Sequence, residues 1–193
     1  MHLTETAPAA ELPVARADLA QHLRLVEGFD NEGAEDALLD LYLETATAAV
    51  ETRLARALVR RGFSLEVDAW DRTGRLVLPV GPVPAIDGFV FLGGDAPEAA
   101  ALDGLVVSPG ECRQTLSGPG GGPLPAIPAG RRVELAFDAG YGPDRTAVPE
   151  DLRQAVLLLA AHLHERRYGA VPEGPVLPGR VEALIAPHRP VRL

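Results

Sequence analysis

The sequence predicts an α+β fold: a mainly helical core, with a β-rich insertion between a long N-terminal helix and a closing C-terminal helix. Three observations carry this. Apolar residues recur every three or four positions from 34 to 61 and again from 149 to 166, and between them the period changes to two. The predicted divisions are 1–62 for the arm and core helices, 63–144 for the insertion, 145–169 for the closing helix and 170–193 for a C-terminal tail.

Residues 1–12 show no periodic pattern and read as a loose arm. A short helix begins after Pro13 and carries Leu19, Leu23 and Val26, and Gly28–Gly33 is a turn. From Ala34 to Arg61 the residues Leu38, Leu39, Tyr42, Leu43, Ala46, Ala49, Val50, Leu54, Ala57 and Leu58 mark one face of a single helix. Acids crowd its start (Asp30, Glu32, Glu35, Asp36), while Arg60 and Arg61 precede Gly62 at its end, as capping and the helix dipole favour. Such a helix is about 40 Å long, which suits either a strut or a long core helix.

In the insertion, Ser64–Trp70 alternates, Asp71-Arg72-Thr73-Gly74 is a turn, and Arg75–Leu78 completes an expected hairpin. Further strands fit Gly88–Leu92, Leu105–Val107, Glu111–Leu116 and Arg131–Phe137, with a Gly-Pro loop at 118–123. Pro149, Glu150 and Asp151 then open a helix whose face is Leu152, Ala155, Val156, Leu159, Ala160 and Leu163.

The tail is distinctive. Its 24 residues include five prolines, and Val181, Leu184 and Ile185 form one apolar face of a two-turn helix stopped by Pro187. A helix of eight residues needs something to pack on, either its own domain or a partner. The flanking prolines favour a partner, and so point to assembly rather than catalysis.

Composition narrows the chemistry. All 18 basic residues are arginine, which excludes a Schiff-base or phosphate-loop lysine. The single Cys112 excludes an internal disulfide and reads as a small half-buried side chain. Gly118–Gly122 lacks a following Lys-Ser/Thr, and His162 and His164 point about 200° apart on a helix, so neither a phosphate loop nor a shared metal is expected. The three serines form no nucleophile elbow. No catalytic, cofactor or metal residue is therefore expected, nor a membrane helix or signal peptide, and synthesis in the cytoplasm follows.

The net charge of −9 lies wholly in residues 1–52, which hold eleven acids against two arginines. That argues against tight DNA binding, although an acidic surface including Glu35, Asp36 and Asp40 would let DNA slide past.

Several segments together resemble a known family. These are Leu12-Pro13-Val14 with Asp18-Leu19 and His22-Leu23, Ala48-Ala49-Val50-Glu51-Thr52-Arg53, and Leu78-Pro79-Val80-Gly81-Pro82-Val83-Pro84-Ala85-Ile86. They continue with Phe137-Asp138-Ala139-Gly140-Tyr141-Gly142, Val148–Ala155, His162–Arg166 and Leu184-Ile185-Ala186-Pro187-His188-Arg189. Their order is similar to that of the head-tail connector, or adaptor, proteins of long-tailed phages and related bacterial gene transfer agents. The resemblance spans Leu12–Arg189 and implies a homo-oligomeric ring of twelve copies in the particle neck, beneath the portal protein, around a DNA exit channel.

It further implies that the tail fastens the ring to the portal, a role that falls to Val181, Leu184, Ile185, Arg189 and Arg192, and that a stopper or other tail protein follows. His162 and His164 stand where the family usually has an aromatic residue, His188-Arg189 where it has Tyr-Arg, and the 118–123 loop has no family counterpart. Two other functions remain open on the residues alone: a different neck protein, such as a stopper or tail terminator, and a hydrolase with its site in the insertion.

Overall fold

The computed structural model describes residues 1–25, 32–94, 96–110, 113–166 and 177–189. Residues 28–31 of the expected turn, Cys112 and Arg192 lie outside these. The chain divides into two compact units, Met1–Ala10 with Ala55–Pro143, and Glu11–Leu54 with Asp144–Leu193.

Among the described residues the first unit has eight strands: β1 (His2–Ala7), β2 (Arg61–Val67), β3 (Leu76–Val77), β4 (Ile86–Leu92), β5 (Glu98–Ala99), β6 (Val106–Val107), β7 (Thr115–Ser117) and β8 (Arg132–Ala139). They form an antiparallel sheet in the order β1-β2-β8-β4-β5 and a smaller antiparallel sheet β3-β7-β6. Alternation sets the inward face. Phe63, Leu65 and Val67 lie opposite Phe137, Leu135 and Val133, and on the far side of β8 Phe89 and Phe91 meet Leu135 and Val133. The Phe63 and Phe137 rings stack at 6.0 Å, and Leu76, Leu116, Leu78, Val83 and Leu124 complete the core.

Gln114, nearly fully buried, substitutes for a strand. Its Nε2 donates to the Val83 carbonyl at 3.0 Å and its Oε1 accepts from the Val83 N–H at 2.6 Å. Gly140 lies at φ +133°, where an added Cβ would fall 2.5 Å from the Arg60 backbone, so the Asp138-Ala139-Gly140-Tyr141 sequence requires glycine there.

The second unit contains α1 (Arg16–His22), α2 (Glu32–Leu54), α3 (Glu150–Glu165) and α4 (Gly179–Ile185). Buried Leu39, Leu43, Ala46, Val50 and Leu54 of α2 recur at helical spacing, as do Leu152, Ala155, Val156, Leu159 and Ala160 of α3. Leu19 of α1 joins this core. Pro149 caps α3, and Glu150 and Asp151 occupy its first turn, where the dipole favours acids.

Four expectations need correction. The fold is α+β but not mainly helical, because a whole unit is β-structured. The N-terminal arm is not loose, since its residues 2–7 pair with β2, Leu3 opposite Leu65. The long helix stops at Leu54 rather than Arg61, because Ala55 turns left-handed at φ 53°. The turn at Asp71 exists, with Asp71 N–H donating to the Arg75 carbonyl at 2.9 Å, but it joins no hairpin. β2 pairs with β1 and β8, and β3 with β7. The 118–123 loop is ordered around a 3₁₀ turn at Pro119–Gly121, and Gly118 lies so close to Pro123 that a Cβ would fall 2.2 Å from its carbonyl oxygen.

Candidate assembly site

The C-terminal segment is built onto the second unit. Pro178 fixes an extended entry into α4, and Pro187 sits in the 3₁₀ turn Ala186–His188 that ends it. The i, i+4 pair Val181 and Ile185 is fully buried, and α4 packs on α3. Leu184 is half-buried, whereas Arg180, Ala183, Ala186 and Pro187 are exposed. Of the two places open to the tail helix, its own domain and a partner, its two buried apolar residues thus take the first.

Ion pairs and a histidine–carboxylate hydrogen bond fasten the segment further. Glu182 stands between Arg53 of α2, whose Nη2 is 3.3 Å away, and Arg189, whose Nη2 is 2.9 Å away. His188 Nε2 lies 2.5 Å from Asp151 Oδ2, and the other oxygen of Asp151 accepts from the Leu152 N–H at 2.9 Å. Of the five tail residues singled out by sequence, two are core, Leu184 is intermediate, Arg189 is ion-paired and Arg192 lies outside the described residues.

The acids of α2 are arranged unequally. Arg16 of α1 donates Nε and Nη2 to the two oxygens of Asp40 at 2.9 and 2.6 Å, and Nη1 to Asp36. The Asp40 hydrogen bond, with its charge and that of Asp36, raises the Arg16 pKa further above its ordinary value. Glu35 is exposed.

Glu11, which sequence did not single out, ties the entry of α1 to the loop before α3. It accepts from the Arg145 backbone N–H at 2.7 Å and from its Nε at 2.9 Å. The Arg145 side chain and amide hold the Glu11 carboxyl below the usual range, and Glu11 raises Arg145 in turn. No local pattern marks such a pair, because its members are 134 positions apart.

Among the described residues no cluster of three or more His, Cys, Asp or Glu could hold a metal, and no helix is long and apolar enough to cross a membrane. His164 instead meets the edge of the Tyr42 ring at 5.9 Å.

Comparison with solved structures gives the family. The chain is similar to a chain in the neck of an empty gene transfer agent particle computed with C6 symmetry, at 38% identity and a TM-score of 0.86 over all of this chain and 97% of that one. A chain in the virion of a native gene transfer agent particle matches at 38% identity and 0.83 over the same shares. Another, in the neck of a native particle computed with C12 symmetry, matches at 36% and 0.79, again over 100% of this chain and 97% of that one. No family model and no curated protein sequence matches. The chain belongs to the head-tail connector family of gene transfer agent necks and is a structural protein of the particle neck.

Proposed function

We propose that the chain acts without catalysis, as an adaptor ring of twelve copies that joins the portal protein to the next neck or tail protein and surrounds the path of DNA. The observation that carries this reading is the end-to-end likeness to neck chains, including one from a neck computed with C12 symmetry. DNA passes without specific binding, in keeping with the net charge of −9. Glu35, Asp36 and Asp40 contribute to an acidic channel surface; Glu35 does so most directly, because Arg16 offsets the other two.

In this reading the C-terminal segment is the portal-docking element, with a division of labour. Val181 and Ile185 anchor α4, and Leu184, Arg189 and Arg192 make the contacts with the portal. Deleting all of 170–193 would remove two core residues, so it does not separate docking from folding. The separating experiment deletes 190–193 and adds Leu184→Asp, then follows co-purification with the portal beside the far-ultraviolet circular dichroism spectrum. A folded protein that has lost the portal supports tail docking. A folded protein that still co-purifies with the portal sinks it.

A further inference from the structure

We infer that the outward ridge of α2, centred on Leu41, is a contact between neighbouring copies of this chain; the inference rests on the ring reading above. At about 100° per residue, Ala37, Leu41, Thr45, Ala48 and Thr52 fall within one arc of about 80°. All five are exposed, and none is charged. Leu41 is 54% exposed, the most exposed large apolar residue of the second unit among the described residues. The Thr45 hydroxyl donates back to the Leu41 carbonyl at 2.7 Å, which spends its polar group on the helix and leaves its methyl for the surface.

An outward face normally carries the charges of an amphipathic helix. Here the charges stand at the flank, on Glu44 and Glu51, which is the arrangement of an interface with an apolar centre and a polar rim. A second copy is the occupant that fits. The chain's relatives occur in a neck computed with C12 symmetry, and rotation about such an axis brings each copy's face against a different face of its neighbour. The other exposed large apolar residues (Met1, Val77, Leu102 and Val106) belong to the first unit, so the helical unit offers this ridge for its share of the contact.

The test places a photo-cross-linking amino acid at position 41 in particle-producing cells and images the wild-type necks by electron microscopy. A cross-linked product at twice the 20.4 kDa chain mass is expected. Leu41→Arg, at an exposed site, should melt with the wild type yet enter particles at least about tenfold less, as a charge at an interface centre would cause. In necks that contain the ring, a cross-link to another protein, no cross-link, or undiminished entry of Leu41→Arg overturns the inference and leaves the ring standing. Wild-type necks without a ring of this chain overturn the ring reading and this inference together.

Discussion

His188 and Asp151 stand 2.5 Å apart, so the turn that ends the C-terminal helix is tied to the first turn of α3. His188 is 15% exposed and Asp151 38%, which places the pair at the surface margin, where a hydrogen bond of this kind contributes about 0.5–1 kcal/mol. His188→Ala should lower stability by about that amount, with the effect concentrated in the tail. Amide exchange across 181–189 should speed up about two- to fivefold, while α2 and the sheet stay at wild-type rates. A uniform increase would mean that the pair holds the whole unit rather than the segment.

Ile185 is fully buried beside Val181, so its side chain belongs to the core even though the segment around it is short. Ile185→Ala should cost about 2–4 kcal/mol, the range for an aliphatic side chain removed from a packed interior. Leu184→Ala, at a half-buried site, should cost less than about 1.5 kcal/mol. Urea midpoints of the two variants check the ordering, and equal losses would contradict the anchoring role given to Ile185.

What the sequence made legible was local periodicity. Leu39, Leu43, Ala46 and Val50 revealed α2, and Leu152, Val156 and Leu159 revealed α3, because a helix keeps its hydrogen bonds within neighbouring residues. Pairing was not legible in the same way. The alternation at Phe63–Val67 marks a strand, but nothing local says that Phe63 faces Phe137 rather than a strand beyond the Asp71 turn. Leu3 in the arm lacked even that signal, since β1 is an edge strand with only one half-buried residue. Ala57 and Leu58 continued the helical spacing and masked the left-handed break at Ala55. At the candidate site, apolar spacing located the tail helix, whereas the partners of Glu182 and Asp151 come from other elements and leave no mark on the local sequence.

Acid should loosen the second unit. The Glu11 carboxyl is held below its ordinary value in the folded protein, first by the Arg145 side-chain hydrogen bond and then by the Arg145 backbone N–H. A depressed carboxylate contributes stability above its unfolded pKa and loses it as pH falls through the folded value. Asp144, held low by the Thr146 hydroxyl and N–H, acts in the same direction. The melting temperature should therefore fall as pH drops below about 4.5. Glu11→Gln should flatten that fall and bring the wild type and variant together at low pH. Parallel curves for the two proteins would show that Glu11 does not contribute through ionisation.

Gln114 makes two hydrogen bonds to the Val83 backbone inside the first unit. Gln114→Leu keeps much of the volume but strands a buried donor and acceptor on Val83, so a loss of about 2–3 kcal/mol is expected, larger than the bonds' net worth when made. Gln114→Glu should fare no better, since a carboxylate facing the Val83 carbonyl has no proton to donate. Denaturant unfolding measures both, and a neutral Gln114→Leu would show that the Val83 groups find other partners.

Ala55 ends α2 in a conformation suited to glycine. Its φ of 53° is left-handed, where a Cβ crowds the backbone at a cost of about 1–2 kcal/mol, and its side chain is exposed, so the methyl recovers little by packing. Glycine removes the crowding but adds freedom to the unfolded chain, which offsets about 0.5–1 kcal/mol. Ala55→Gly should therefore raise stability by about 0.5–1 kcal/mol, against the usual direction for alanine to glycine. Ala55→Val should reverse the effect, because a β-branched residue tolerates positive φ least. The same pair at Ala48, inside α2, supplies the contrast: glycine there should cost about 1 kcal/mol. Thermal melts of the four variants decide the matter, and a destabilising Ala55→Gly would mean that the helix end is not left-handed in solution.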